Sequence, residues 1–328
     1  MLFRIGVSRS ARAGRNPAEG KAADMTFRQS GSLDTSGVSG AGRGGRGGRR
    51  GVAVGGGVGG LAVVLVALFL GVDPGLLGLD QGDGGRGQTS DSAQQFQTHI
   101  DQCDLGQANT DTVCRIVATT ESLEDVWGTQ LPDQARMRWV QPHTTIFTGD
   151  VDTACGAASS DVGPFYCPAD QDVYIDPPFF DEVMVGRLGG SPAGAAQMYV
   201  VAHEFGHHLQ TMLGDIRRSQ QDPQGASSGA VRVELQADCY AGLWAHYATS
   251  TPAPGGAEPL LESLTPGDVD AIIQTAEAIG DDHIQRSGGA RVDPDSWTHG
   301  SSEMRRQWFL TGYDQGSMQA CDTFGVRL

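Results

Sequence analysis

Cysteine is absent from the first 102 residues of this 328-residue chain, and none of its six cysteines forms a C-x-x-C pair. That absence argues against a cysteine-ligated structural zinc, which draws its thiolates from such short spacings. Basic charge is scarce beyond residue 50: residues 1–50 carry a net +7 and the remainder −23. So acidic a body repels phosphate backbones, which excludes nucleic acid as a partner. Large apolar side chains are few in residues 1–50, which are rich in Gly, Ser and Arg instead. A segment of that composition cannot bury a core and is expected to be disordered.

Charge of either sign is missing from Val52 to Val72, a run of 21 residues. At 1.5 Å per residue it is long enough to span a bilayer core of about 30 Å. Arg43, Arg46, Arg49 and Arg50 stand before it, and Asp73, Asp80 and Asp83 after it. The positive-inside rule then places the N-terminus in the cytoplasm and the body outside. No A-x-A-like site follows, which weighs against a cleaved signal peptide. The expected layout is a disordered basic cytoplasmic segment (1–50), a transmembrane helix (51–72), a flexible linker (73–95) and an extracytoplasmic body (96–328) of a single-pass cell-membrane protein. All six cysteines lie after the apolar run, on the oxidising side. Six cysteines allow 15 pairings. Closeness in sequence favours Cys103–Cys114 and Cys155–Cys167, leaving Cys239–Cys321.

The richest stretch is Ala195 to Gly214, AAQMYVVAHEFGHHLQTMLG. It reads as an apolar helix, and positions four apart lie within roughly 40° on one helical face. His203 and His207 therefore aim their imidazoles at one point, where two neutral rings fix two corners of a zinc site. Glu204 projects beside the pair, within reach of a zinc-activated water. Two surface histidines are the alternative for a bare H-E-x-x-H, but the apolar flanks Met198 to Ala202 and Leu209 to Leu213 bury this helix. Gly206 sits mid-helix, where it costs about 1 kcal/mol relative to Ala. Either something approaches the backbone there or two helices pack closely.

A catalytic zinc takes three protein ligands and keeps one position open. VELQADCYAG, Val233 to Gly242, opens a second apolar helix expected over Val231 to Thr249, with Glu234 and Asp238 one turn apart. Glu234 is the expected third ligand. Asp238 is placed to accept the second ring N–H of one histidine and fix its tautomer. A solvated acidic face is the alternative, and Leu235, Ala237, Cys239, Ala241, Leu243 and Trp244 leave little polar face to solvate.

The histidine pair followed by Glu-x-x-x-Asp resembles the thermolysin-type zinc peptidases, the gluzincins. More closely, VAHEFGHHLQ, VELQADCYAGLWA, GPFYCPAD, THGSSEMRRQWF and the terminal CDTF resemble the bacterial "putative neutral zinc metallopeptidase" family, over most of Gln95 to Leu328. The resemblance implies a zincin-like metallopeptidase domain, bound zinc and a peptide or protein substrate. It also implies a histidine or tyrosine that stabilises the oxyanion, for which His299 is the candidate.

The rest of the chain reads coarsely. Thr110 to Gly128 has helical spacing, and Val140 to Phe147 and Asp172 to Asp176 read as strands. The second strand is a candidate sheet edge for an extended peptide; Thr153 to Pro168 reads as a Gly/Ser loop. Pro266 starts a helix ending at Gly280, and Ser301 caps another. Strands precede residue 180 and helices follow it, so the expected fold is α+β, a small N-terminal sheet and a helical C-terminal half. His208 is expected in a supporting or surface role, with no ligating one. The expected function is a membrane-anchored zinc peptidase with Glu204 as general base. The rivals are a zinc amidase acting on cell-wall material and a metal-bearing interaction module without turnover.

Overall fold

Phe27, Leu33 and Val38 are the few large apolar side chains of residues 26–41, and the fold buries or packs each of them. The structure, a computed structural model, describes residues 26–41, 89–253 and 258–328. Strand β1 (Thr26–Phe27) and strand β2 (Val38–Gly40) come from that stretch. Helix α1 (Thr89–Ile100), the single turn α2 (Leu105–Ala108) and the long helix α3 (Thr112–Ala135) follow. Asp111 caps α3 by accepting the Cys114 N–H.

Five short strands come next: β3 (His143–Ile146), β4 (Asp150–Thr153), β5 (Gly156–Ser159), β6 (Phe165–Cys167) and β7 (Asp172–Ile175). The main sheet has the order β2-β3-β7-β6, parallel across its first two pairs and antiparallel at β6–β7. Strands β4 and β5 form a separate hairpin, tied to β6 by the Cys155–Cys167 disulfide.

Helix α4 (Gly194–Leu213), the turn α5 (Arg218–Gln221) and helix α6 (Gly229–Tyr247) make the centre of the body. Gly206 lets α4 and α6 close up: a Cβ there would lie 2.9 Å from the Ala237 Cα. Helix packing is therefore the reason for that glycine. Strand β8 (Leu261–Ser263) pairs with β1, and α7 (Pro266–Ala278), α8 (Asp281–Ser287) and α9 (Ser302–Gln315) complete the chain. The core runs continuously from Phe27 through α3, α4 and α6 to Phe309. The three disulfides are Cys103–Cys114, Cys155–Cys167 and Cys239–Cys321, the pairing that closeness in sequence favoured.

The expected fold class needs correction. The expectation was an α+β body with strands confined to its first part and a transmembrane helix ahead of it. The fold is mixed α/β: β2 adds a parallel strand to the sheet, and β1 pairs with β8 from the far end of the chain. Among the described residues no helix is long and apolar enough to cross a membrane. The expected span, Val52 to Val72, lies outside the described residues. Residues 26–41, 89–253 and 258–328 share one core. The disordered segment expected over 1–50 contains both β1 and β2, because three spaced apolar side chains and backbone pairing suffice to dock it. Helix α1 starts at Thr89, inside the expected linker, with Phe96 and Ile100 as its apolar face.

Candidate metal and active site

Helices α4 and α6 present the site side chains, and each histidine is gripped by its Nδ1. His203 Nδ1 lies 2.8 Å from Asp238 Oδ1, and His207 Nδ1 lies 2.9 Å from Gln210 Oε1. A carboxylate only accepts, so His203 Nδ1 carries a proton toward Asp238, which leaves Nε2 as the nitrogen whose lone pair a metal would take in place of a proton. Both Nε2 atoms face Glu234, at 3.2 Å from Oε2 for His203 and 3.6 Å from Oε1 for His207. The three residues form one of two His/Cys/Asp/Glu gatherings of ligating geometry among the described residues. The other, His99 with Cys103 and Cys114, has both sulfurs locked in a disulfide.

Ligand atoms 2.0–2.2 Å from a tetrahedral zinc stand about 3.3–3.6 Å apart. The distances from Glu234 to the two rings match that spacing, and two neutral imidazoles with one carboxylate are a common zinc donor set. The residues present fit the metal.

Asp238 is fully buried and accepts from two side chains besides His203. Tyr199 Oη donates to Oδ1 at 2.5 Å, and Arg305 donates through Nε to Oδ2 and through Nη2 to Oδ1, both at 2.9 Å. Burial pushes the Asp238 carboxyl upward, but the Arg305 guanidinium and His203 more than offset it and hold it below the usual range. Burial likewise pushes His203 down, and the Asp238 carboxylate reverses this to about 10. His207 has a neutral amide partner and is held below its usual value, chiefly by burial. Burial raises Glu204 to about 8; His203 draws it down and Glu234 pushes it up.

His299 lies in the loop before α9 and lines the same cleft, and it is not one of the three clustered residues. Its Nδ1 is 3.3 Å from Asp281 Oδ1 and 2.9 Å from Thr298 Oγ1. Asp281 is fully buried, and its Oδ2 accepts the backbone N–H groups of Thr298, His299 and Gly300 at 2.8, 2.8 and 2.9 Å. Burial lowers the His299 imidazolium, but its hydrogen bond to Asp281 and the charge of Glu234 raise it above its usual value.

The cleft has a volume of about 210 Å³, and apart from the groups above its walls are mainly apolar, with Phe179, Met184, Leu188, Val200, Ile279 and Ile284 prominent. Phe165 and Tyr166 of β6 form another wall. The sheet edge beside the site is thus β6, which the sequence reading assigned to a loop, while the strand taken for an edge, β7, lies inside the sheet. His208 is fully buried rather than at the surface. Its Nε2 donates to the Val140 carbonyl at 2.7 Å, so its Nδ1 accepts from Tyr166 Oη at 3.1 Å, which ties β6 to α4. Arg305, Tyr199, Asp281 and Gln210 were missed by sequence reasoning. Only Gln210, one turn from His207, carried a local signal.

A model of the family described as "Putative neutral zinc metallopeptidase" matches residues 26–324. The chain belongs to this family. The chain is 46% identical over 263 residues to an uncharacterized protein of Mycobacterium tuberculosis, a match covering 79% of this chain and 85% of the relative. It is 42% identical over 275 residues to the uncharacterized protein YpfJ of Escherichia coli K12, covering 82% and 87%. No solved structure matches it. Membership in this family implies zinc as the metal.

Proposed function

We propose that the protein hydrolyses peptide bonds in peptide or protein substrates, with His203, His207 and Glu234 as zinc ligands and Glu204 as general base. The carrying observation is the pair of imidazole Nε2 atoms at 3.2 and 3.6 Å from one carboxylate, with Glu204 buried in the same cleft. Zinc, when bound, supplies Lewis acidity toward the scissile carbonyl and the attacking water. Glu204 takes a proton from that water as its oxygen bonds to the carbonyl carbon. It then returns the proton to the leaving nitrogen as the C–N bond breaks. His299, held with Nδ1 toward Asp281 and with its pKa raised above the usual value, is the donor to the developing oxyanion. The outer edge of β6 is the candidate to pair with an extended substrate backbone, and the apolar walls accept a large apolar side chain next to the scissile bond.

The three disulfides support a body that works in an oxidising, extracytoplasmic compartment. Alkylation of free thiols in fractionated cells tests this, since a body kept reduced in the cytoplasm takes up six labels. Glu204→Gln is expected to retain one equivalent of zinc and lose at least 100-fold in kcat, on the order expected for a general base. A digest of a broad peptide library by parent and variant side by side measures this, and equal rates sink the assignment.

A further inference from the structure

His203 is supported by charge; His207 is supported by a chain of neutral amides that ends at the C-terminal tail. Gln210 Oε1 lies 2.9 Å from His207 Nδ1. Gln210 Nε2 donates to the Val233 carbonyl at 2.6 Å and to Gln236 Oε1 at 3.1 Å. Gln236 Nε2 donates in turn to the Cys321 carbonyl at 3.2 Å. Gln210, Gln236 and Cys321 are all buried, so no bulk water competes for these bonds.

The direction of every proton in this chain is set at its far end. A main-chain carbonyl can only accept. The Cys321 carbonyl therefore turns the Gln236 NH2 toward itself and leaves Gln236 Oε1 facing Gln210. The Val233 carbonyl and Gln236 Oε1 together claim the Gln210 NH2. Gln210 Oε1 is left facing the ring, so the ring proton sits on Nδ1 of His207, and Nε2 is the lone-pair nitrogen. Reversing Gln210 would set its oxygen against the Val233 carbonyl and Gln236 Oε1, and reversing Gln236 would set its oxygen against the Cys321 carbonyl, acceptor facing acceptor inside the body, where an unpaired buried polar group costs about 1–3 kcal/mol.

We infer that Gln210 and Gln236 are positioning residues that fix the tautomer and aim of His207, and that the Cys239–Cys321 disulfide anchors the relay. The disulfide holds Cys321 against α6, whose preceding turns carry Glu234 and Gln236. The tail is held there a second time: Arg232 donates to the carbonyls of Thr323 and Val326, and Thr323 Oγ1 donates to the Arg232 carbonyl at 2.8 Å. Residues far apart in sequence thus support one ligand, and the inference rests on the proposed role of His207 as a ligand.

The test is zinc affinity by chelator competition, alongside the visible spectrum of the cobalt-loaded full chain. Gln210→Leu, which removes the acceptor, is expected to weaken zinc 10- to 100-fold and to change the cobalt spectrum. Gln210→Glu keeps an acceptor for Nδ1–H but loses the donor that meets the Val233 carbonyl and Gln236 Oε1, so it is expected to recover part of the affinity lost in Gln210→Leu while melting lower than the parent. Gln236→Leu and the double variant Cys239→Ser/Cys321→Ser are expected to fall between. A purely structural role lowers the melting temperature of the metal-free variants without the recovery in Gln210→Glu. Unchanged zinc affinity in Gln210→Leu, or equal loss in Leu and Glu variants, overturns the relay while leaving the zinc reading in place. A parent chain that binds no zinc overturns both.

Discussion

Two aspartates of this protein are almost equally buried and have opposite chemistry. Asp238 on α6 is fully buried and Asp125 on α3 is 7% exposed. Asp238 accepts from His203, Tyr199 and both arms of Arg305, and stays ionised. Neither carboxyl oxygen of Asp125 has a hydrogen-bond partner among the described residues. Burial, with Glu121 and Glu124 on the same helix, pushes it up to about 7. Burial alone therefore says little about charge. Donors decide it, and they are assembled around the aspartate that holds His203, a proposed metal ligand. The same holds for the two proposed ligand histidines, one backed by an ion pair and one by an amide.

The comparison can be broken most sharply at Asp238. Asp238→Asn leaves Arg305 charged and buried without its counter-ion, and is expected to cost about 3–5 kcal/mol, read as a fall in melting temperature of roughly 10 °C. Zinc affinity should fall with it. A variant as stable as the parent would mean the clamp contributes nothing. Arg305→Lys is a gentler cut: the charge remains, but the two-armed contact is lost, at a cost of about 1–3 kcal/mol by denaturant titration.

Asp125→Asn should act in the opposite direction. The folded pKa of Asp125 lies above its unfolded value, so between pH 3.8 and about 7 the folded state holds the extra proton. Stability contributed by this group is present at low pH and is lost as pH rises through that window. Removing the ionisation should raise stability at pH 8 by on the order of 1–3 kcal/mol and flatten the slope between pH 4 and 7. Thermal melts of parent and variant across pH measure this, and parallel profiles would count against it.

What the sequence disclosed and what it hid divide along local and long-range contacts. The metal helices were legible because 3.6-residue spacing puts His203 with His207, and Glu234 with Asp238, on single faces within one turn. Disulfides between near neighbours were legible for the same reason. Arg305 was not, because its partner Asp238 is 67 residues away and nothing near Arg305 marks it as buried. Asp281 looked like one acid of a polar loop; only the fold brings it to His299. Strand β6 hid in three residues between a glycine-rich loop and a proline. Strands β1 and β2 hid in a stretch whose composition resembles a disordered tail, because backbone pairing leaves little trace in side-chain chemistry.

The pairing of Thr26 with Ser263 joins residues 237 positions apart. A chain made from its N-terminus must hold those first two strand residues unpaired until most of the protein has emerged. Closure of so wide a loop carries an entropic cost that grows only slowly with length, but contacts of such high sequence separation form late and slow folding. Order in the N-terminal strand is therefore a signal of completed synthesis, and a chain truncated before Leu261 lacks the partner that seats it.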